Sequence, residues 1–323
     1  MKKIILIVSI ILLVTGIIGG AVVSVPVLAQ GFDAIFERVE KEMQTHNYEF
    51  DSSVKELSLD IASAKTTVEY GTDDKITIVY RTTGKNRELD CNMENGVLSI
   101  REKTAFSFFS LFGSLYNEIN VTLPEKFKSE AVLGRVDIKL ASGSLSGDIP
   151  MSSDSTDIYV ASGKVSDTTV DTKKFSLSVA SGDVTIANRG TVLDSVKANC
   201  TSGSITLDKF VCADNSYDVT SGRMSSNGLC GNTYANVTSG SLTLGFDELC
   251  GDITGYVASG RLEFVIPENA GGTIDYSVAS GSVKIDTPDF ATRLTGSGKT
   301  QFGSGSANIG AKVSSGSIVI TGK

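Results

Sequence analysis

Apolar and polar residues alternate along most of this chain, and the alternation repeats. Over the last two-thirds, a short phrase of Ala, Thr or Ser followed by Ser-Gly recurs nine times. It places Gly143, Gly163, Gly182, Gly203, Gly222, Gly240, Gly260, Gly281 and Gly316 in equivalent positions. Three residues before the glycine stand Leu140, Val160, Val179, Cys200, Val219, Val237, Val257, Val278 and Val313. Two after it stand Leu145, Val165, Val184, Ile205, Met224, Leu242, Leu262, Val283 and Ile318, and four after it most copies are apolar again. Ser, Thr and charged residues fill the positions between. Period-two alternation predicts strand, bend, strand, with one face buried. A repeat of about 20 residues predicts a solenoid, each repeat being one coil stacked on the last.

The Ser-Gly step is therefore a corner. Its glycine is expected to take positive φ at little cost, and the small Ala, Thr and Ser before it to let the coils stack closely. Ser142, Ser162, Ser181, Ser202, Ser221, Ser239, Ser259, Ser280 and Ser315 should form a hydroxyl ladder along it. The gap from Gly281 to Gly316 is longer than the rest. It reads as one coil carrying an irregular Gly-Ser-rich insertion, Thr295 to Gly310. A serine repeated nine times is a structural residue, since a nucleophile is needed once.

Before the repeats, 48–130 reads as an N-terminal β region that caps or begins the solenoid, with 131–323 as the repeat array. Val54 to Ile61 alternates. Thr66–Tyr70 and Lys75–Tyr80 are expected to pair about Gly71 to Asp74. Leu89–Met93 and Val97–Glu102 are expected to pair about Asn95-Gly96, a strong hairpin signal. Phe106, Phe108, Phe109, Phe112 and Tyr116 form the densest aromatic cluster. It reads either as a loop folded over the solenoid end or as a patch for lipid or a partner.

Lys2 and Lys3 precede a run from Ile4 to Ala29 without a charge, long enough to cross a bilayer. Residues 1–29 thus read as a transmembrane anchor. A cleaved signal peptide is the rival, with Val27-Leu28-Ala29 as its cleavage site. The lysines before the run and the acids after it put the N-terminus in the cytoplasm and the bulk outside. Residues 30–47 read as a juxtamembrane amphipathic helix or linker, with Phe32, Ile35, Phe36, Val39 and Met43 at helical spacing over 31–46.

Charge and composition then exclude classes. A net charge of −8 argues against nucleic acid. The lone histidine, His46, leaves no Ser-His-Asp set. Thr295 to Thr300 mimics the end of a phosphate loop, but Arg293 stands where its first glycine is needed. Asp154, Asp157, Asp167, Asp171, Asp214, Asp218, Asp247 and Glu248 read as turn residues. Asp214, Asn232 and Asp252 share one column. Cys212, Cys230 and Cys250 share another, expected to be a ladder of small buried side chains, with an inter-coil disulfide as the alternative. Neither a cofactor nor a metal site is expected.

Val54 to Ile61, the run Asn95 to Ile100, the strand Ile119-Asn120-Val121-Thr122-Leu123-Pro124 and the Ser-Gly repeat together resemble the putative-adhesin family of exported bacterial β-strand-repeat proteins, a family defined by a domain of unknown function. The resemblance covers about residues 50–323. It implies an envelope location, a parallel β-helix-like fold, and roles in adhesion or envelope stress, with no catalytic residues to carry over. The expectation is an all-β solenoid behind an N-terminal membrane helix. It would be non-enzymatic and would bind or scaffold envelope polymer or a surface protein. A β-helix polysaccharide lyase or glycosidase and a regulatory sensor of a membrane signalling partner are the rival readings.

Overall fold

Alternation decides the local structure, and backbone pairing between repeats decides the rest. The computed structural model describes residues 43–83, 88–103, 116–128, 133–149, 153–303, 305 and 307–323. Among these, 25 strands join in one continuous sheet, and the only helical element is the 3-10 turn Glu125–Lys128. The anchor 1–29 and Phe106, Phe108, Phe109 and Phe112 lie outside the described residues.

Each repeat is two strands about its corner. Thr172–Val179 and Asp183–Asn188 form the Gly182 coil, and Leu193–Cys200 and Ser204–Asp208 form the Gly203 coil. First strands stack in parallel on first strands: Phe175 faces Val196, Leu177 faces Ala198, and Val179 faces Cys200. Second strands do the same, Val184 on Ile205 and Ile186 on Leu207. The inward columns are thus superposed coil over coil, and nearly all their members are buried in one continuous core. The phenylalanines at the far end of the coils close it, with Phe175 and Phe210 ring centroids 5.0 Å apart.

The corners stack as expected, but the expected reason for their glycine is wrong. None of the nine corner glycines has a positive φ. They are glycine because each coil rests its corner on the backbone below. A Cβ on Gly163 would lie 2.7 Å from the Gly143 carbonyl oxygen, and one on Gly222 would lie 2.5 Å from that of Gly203. The approach is enforced by hydrogen bonds: Ser202 N donates to Ala180 O at 2.8 Å and Ser204 N to Gly182 O at 3.0 Å. Positive φ is found instead at the opposite turn of the coils, at Gly231 (91°) and Gly251 (148°).

Stack order departs from chain order at both ends. Asp252–Val257 and Arg261–Ile266 of the Gly260 coil pair with Ala307–Val313 and Ser317–Gly322, not with the next segment of chain. The long strand Gly272–Thr287, which carries Gly281, lies on the far side of those last two strands. The coils therefore run Gly260, Gly316, Gly281. Phe290–Phe302 returns antiparallel along Gly272–Thr287. The expected irregular insertion is a β-hairpin, and the phosphate-loop mimic Thr295 to Thr300 is part of its strand.

At the other end, Glu56–Ile61 and Lys65–Gly71 form a coil beneath the Gly143 coil, and Ala62-Ser63-Ala64 is its corner. Beneath that lie Val97–Glu102 and Asn117–Pro124. The Asn95-Gly96 hairpin forms as read, both residues having positive φ. The expected hairpin about Gly71 to Asp74 does not. Asn117–Pro124 sits between Lys65–Gly71 and Ile76–Thr82, pairing with both. Gln44–Phe50 adds an outer antiparallel strand to Ile76–Thr82, so Gln44, Thr45 and His46 are strand, not the end of a helix. Covering that edge, with Tyr48 and Phe50 packed on the core, favours strand over helix at these residues, while 30–42 lie outside the described residues. His46 is exposed, its ring 6.2 Å from that of Tyr80.

Candidate functional site

Three features of the surface follow from this stacking. The first is the corner itself. Its glycines lack side chains, so it forms a shallow trough, and the corner serines are exposed along it. Two contiguous stretches of about 490 and 500 Å³, both lined by Ser181 and Asp183, reach from Ser63 and Tyr116 to Ser241. Tyr116 is therefore placed at the trough's N-terminal end, 40% exposed. Lys164, Arg223 and Arg261, which share the position after the glycine, stand on one bank with Asp183 between the first two. Arg261 is engaged with Glu263 at 3.1 Å.

The second feature is a pair of ladders on the outer face of the first strands. The column eight residues before the glycine runs Ser195, Asp214, Asn232, Asp252, Asn308. Its members hydrogen-bond rung to rung. Asn232 Nδ2 donates to Asp214 at 3.0 Å, the Asp252 amide donates to Asn232 Oδ1 at 3.2 Å, and Asn308 Nδ2 donates to Asp252 at 3.1 Å. Alternating Asp with Asn gives every carboxylate an amide neighbour and keeps like charges two rungs apart, about 10 Å. Sequence reading named three members; Asn308 shares their column, eight before Gly316, and the inverted stack order sets it beside Asp252. Two residues along each strand lies a parallel column of Lys197, Ser216, Tyr234 and Thr254. Between the columns runs a cleft of about 480 Å³.

The coil interior under this cleft is held by a buried polar chain. Asn215, 4% exposed, donates to the Cys230 and Asn232 carbonyls, both at 3.1 Å. Its Oδ1 accepts from the Tyr217 hydroxyl at 3.4 Å, which also bonds Ser226 at 3.1 Å. Burial raises the Tyr217 pKa, so the phenol stays protonated as a donor.

The third feature is the cysteine column. Cys230 and Cys250 form a disulfide with Cα atoms 5.7 Å apart. The expected ladder of buried side chains holds only for Cys212; Cys230 is half-buried and Cys250 exposed. The column leaves the core as it rises, which brings these two sulfurs to the surface of adjacent coils. Among the described residues, Cys230, Cys250 and Glu248 are the one group whose donor atoms converge. Its two sulfurs are bonded to each other, so it offers no thiolate pair.

Sequence reading missed Glu102. Its carboxylate, 4% exposed, accepts from the amides of Ala62, Ser63 and Ala64 at 2.9, 2.7 and 3.0 Å, and from Asn117 Nδ2 at 3.1 Å. It stands where the next corner's carbonyls would be and closes the stack.

These features define a two-sided β-solenoid with interleaved ends, an architecture that presents surfaces rather than a pocket. The chain belongs to the Toastrack DUF4097 family, whose profile matches residues 54–321. Two solved structures share the fold. One is described as a putative lipid binding protein from Parabacteroides distasonis, 17% identical with a TM-score of 0.54. The other is described as a putative adhesin from Parabacteroides merdae, 14% identical with a TM-score of 0.53. Each comparison covers 86% of this chain and 96% of the other. No curated protein matches the chain.

Proposed function

We propose that this protein is a single-pass membrane protein whose extracytoplasmic solenoid binds or scaffolds at the cell surface, in the manner of an adhesin. The observation that carries this reading is the set of outward ladders, which stack hydrogen-bonding side chains on successive rungs and so suit a long partner through many weak contacts. The charge-free run Ile4 to Ala29 supports the anchor. The Cys230–Cys250 bond supports an oxidising compartment. No helix among the described residues is long and apolar enough to cross a membrane, so the anchor rests on residues 1–29. The adhesin description of the Parabacteroides merdae structure agrees with the reading. Envelope polymer or a surface protein is the partner class, and the chain acts without catalysis or cofactor. A part in the envelope stress response belongs to the same proposal.

The test is to express the full chain with a C-terminal epitope, label intact cells, and measure retention of beads coated with the purified chain on isolated envelopes. Surface labelling with saturable bead retention is expected. An epitope reached only after lysis, or beads that wash off like albumin-coated ones, would overturn the proposal.

A further inference from the structure

The cleft between the two outer ladders has a composition that selects its occupant. One wall is Asp214, Asn232 and Asp252, whose side chains are fixed by rung-to-rung hydrogen bonds that continue to Asn308. Facing it stand Lys197, Ser216, Tyr234 and Thr254. Tyr234 is 43% exposed, among the most exposed large side chains of the described residues. Its ring is tilted against that of Tyr256 at 5.6 Å, and Lys312 Nζ lies 5.3 Å from the Tyr256 ring centre. Tyr234 is thereby braced from one side and open on the other.

Charge and hydrogen bonding rule out most occupants. A polyanion would meet two carboxylates on one wall and a single cation, Lys197, opposite. A lipid chain would strip water from Asp214 and Asp252 and return nothing to them. An added peptide strand needs open main-chain groups, and those of 195–197, 214–216, 232–234 and 252–254 are committed to pairing between coils. What fits is a chain with hydroxyls on its edges and C–H groups on its faces. Each carboxylate keeps an oxygen beyond its ladder bond to accept a hydroxyl. Lys197 and Ser216 donate, and the open face of Tyr234 receives an apolar ring face. Rungs about 4.8 Å apart suit a polymer of six-membered rings lying along the stack.

We propose that this cleft is a glycan subsite that takes an extended, uncharged or amine-bearing polysaccharide, with Tyr234 as its stacking platform and Asp214 and Asp252 as its hydroxyl acceptors. The inference deepens the surface-binding reading and rests on it only for the setting in which glycan is met.

The probes are chitohexaose and cellohexaose, titrated calorimetrically into the full chain in detergent. Saturable binding of at least one is expected. Tyr234→Ala should weaken it about tenfold or more, equivalent to about 1.4 kcal/mol. Asp214→Asn with Asp252→Asn, which keeps the ladder's shape, should weaken it likewise. Tyr159→Ala removes another exposed tyrosine of the same outer face and should change nothing. All three variants alter exposed side chains, and unchanged thermal unfolding establishes that they fold. No binding of either hexasaccharide, or equal binding by wild type and Tyr234→Ala, would overturn the proposal. Envelope retention that survives in Tyr234→Ala would leave the surface-binding reading standing and defeat this site alone. Hexasaccharide binding without envelope retention would do the reverse.

Discussion

The Ala64 amide donates to the Glu102 carboxylate at 3.0 Å, beside the Ala62 and Ser63 amides, whose counterparts in later corners meet the backbone of a coil below. A stack must end somewhere, and its last corner leaves amides pointing at nothing. Here one carboxylate oxygen gathers three of them.

Removing that oxygen should be costly. Glu102→Ala leaves the amides of Ala62, Ser63 and Ala64 without this acceptor, the last of them buried, and removes one of the Asn117 Nδ2 bonds, each lost bond costing about 1–3 kcal/mol. The loss should exceed about 3 kcal/mol in denaturant unfolding of the full chain. Glu102→Gln, which keeps one acceptor oxygen, should lose roughly half as much. Equal stability of Glu102→Ala and wild type would disprove the capping role.

The same geometry explains why Ala64 is not glycine. Each corner Cβ would point toward the coil on the N-terminal side of the stack. For Gly203 that is the Gly182 carbonyl, whereas the layer beneath Ala64 has no such corner and presents the Glu102 carboxylate. Gly203→Ala should therefore destabilise by about 3 kcal/mol through overpacking against backbone that cannot yield. Ala64→Gly should cost about 1–2 kcal/mol, from chain entropy and the lost burial of its methyl group. Chemical denaturation of the two variants checks the contrast.

The inverted order of the last coils predicts an unusual truncation. The terminal coil of a simple solenoid can be trimmed at modest cost, because it touches one neighbour. Here Ala307–Val313 and Ser317–Gly322 lie between the Gly260 coil and the Gly272–Thr287 hairpin. Deleting 307–323 should detach the hairpin as well, seen as rapid proteolysis between 272 and 303. A hairpin that stays protected would refute this order.

Cys230→Ser with Cys250→Ser should lower stability by about 3 kcal/mol, the value for a closed loop of this length. The disulfide spans 20 residues. Dithiothreitol should reproduce the loss in wild type and leave the double variant unmoved.

The three free thiols make stability depend on pH on the alkaline side. Burial, then Asp90, pushes Cys91 up to about 12, burial pushes Cys212 up to about 11, and burial raises Cys200. An unfolded cysteine titrates near about 8.5. Below that pH both states hold the proton and the contribution is complete. Above it the unfolded chain releases protons that the folded chain keeps, so stability falls as pH rises toward 12. The unfolding temperature should be level from pH 6 to 8 and decline above about pH 9, less steeply in Cys91→Ser with Cys212→Ser. Iodoacetamide at pH 8 should label none of the three before denaturation.

The coil length, the inward columns Leu140 to Val313 and Leu145 to Ile318, and the Asn95-Gly96 turn were all legible along the chain. Each depends on a local rule: alternation within a strand, one bend per repeat, or the φ preference of two adjacent residues. Most of the Asp214 column was legible for the same reason. Which coil lies beneath which is not a local property. The tertiary structure alone placed Ala307–Val313 against Asp252–Val257, and so set Asn308 beside Asp252. It inserted Asn117–Pro124 between two strands that looked like a hairpin, and it set Glu102 under Ala64. Identical coils can stack in any order that satisfies their edges. The choice among those orders was made by the ends, where open backbone had to find a partner.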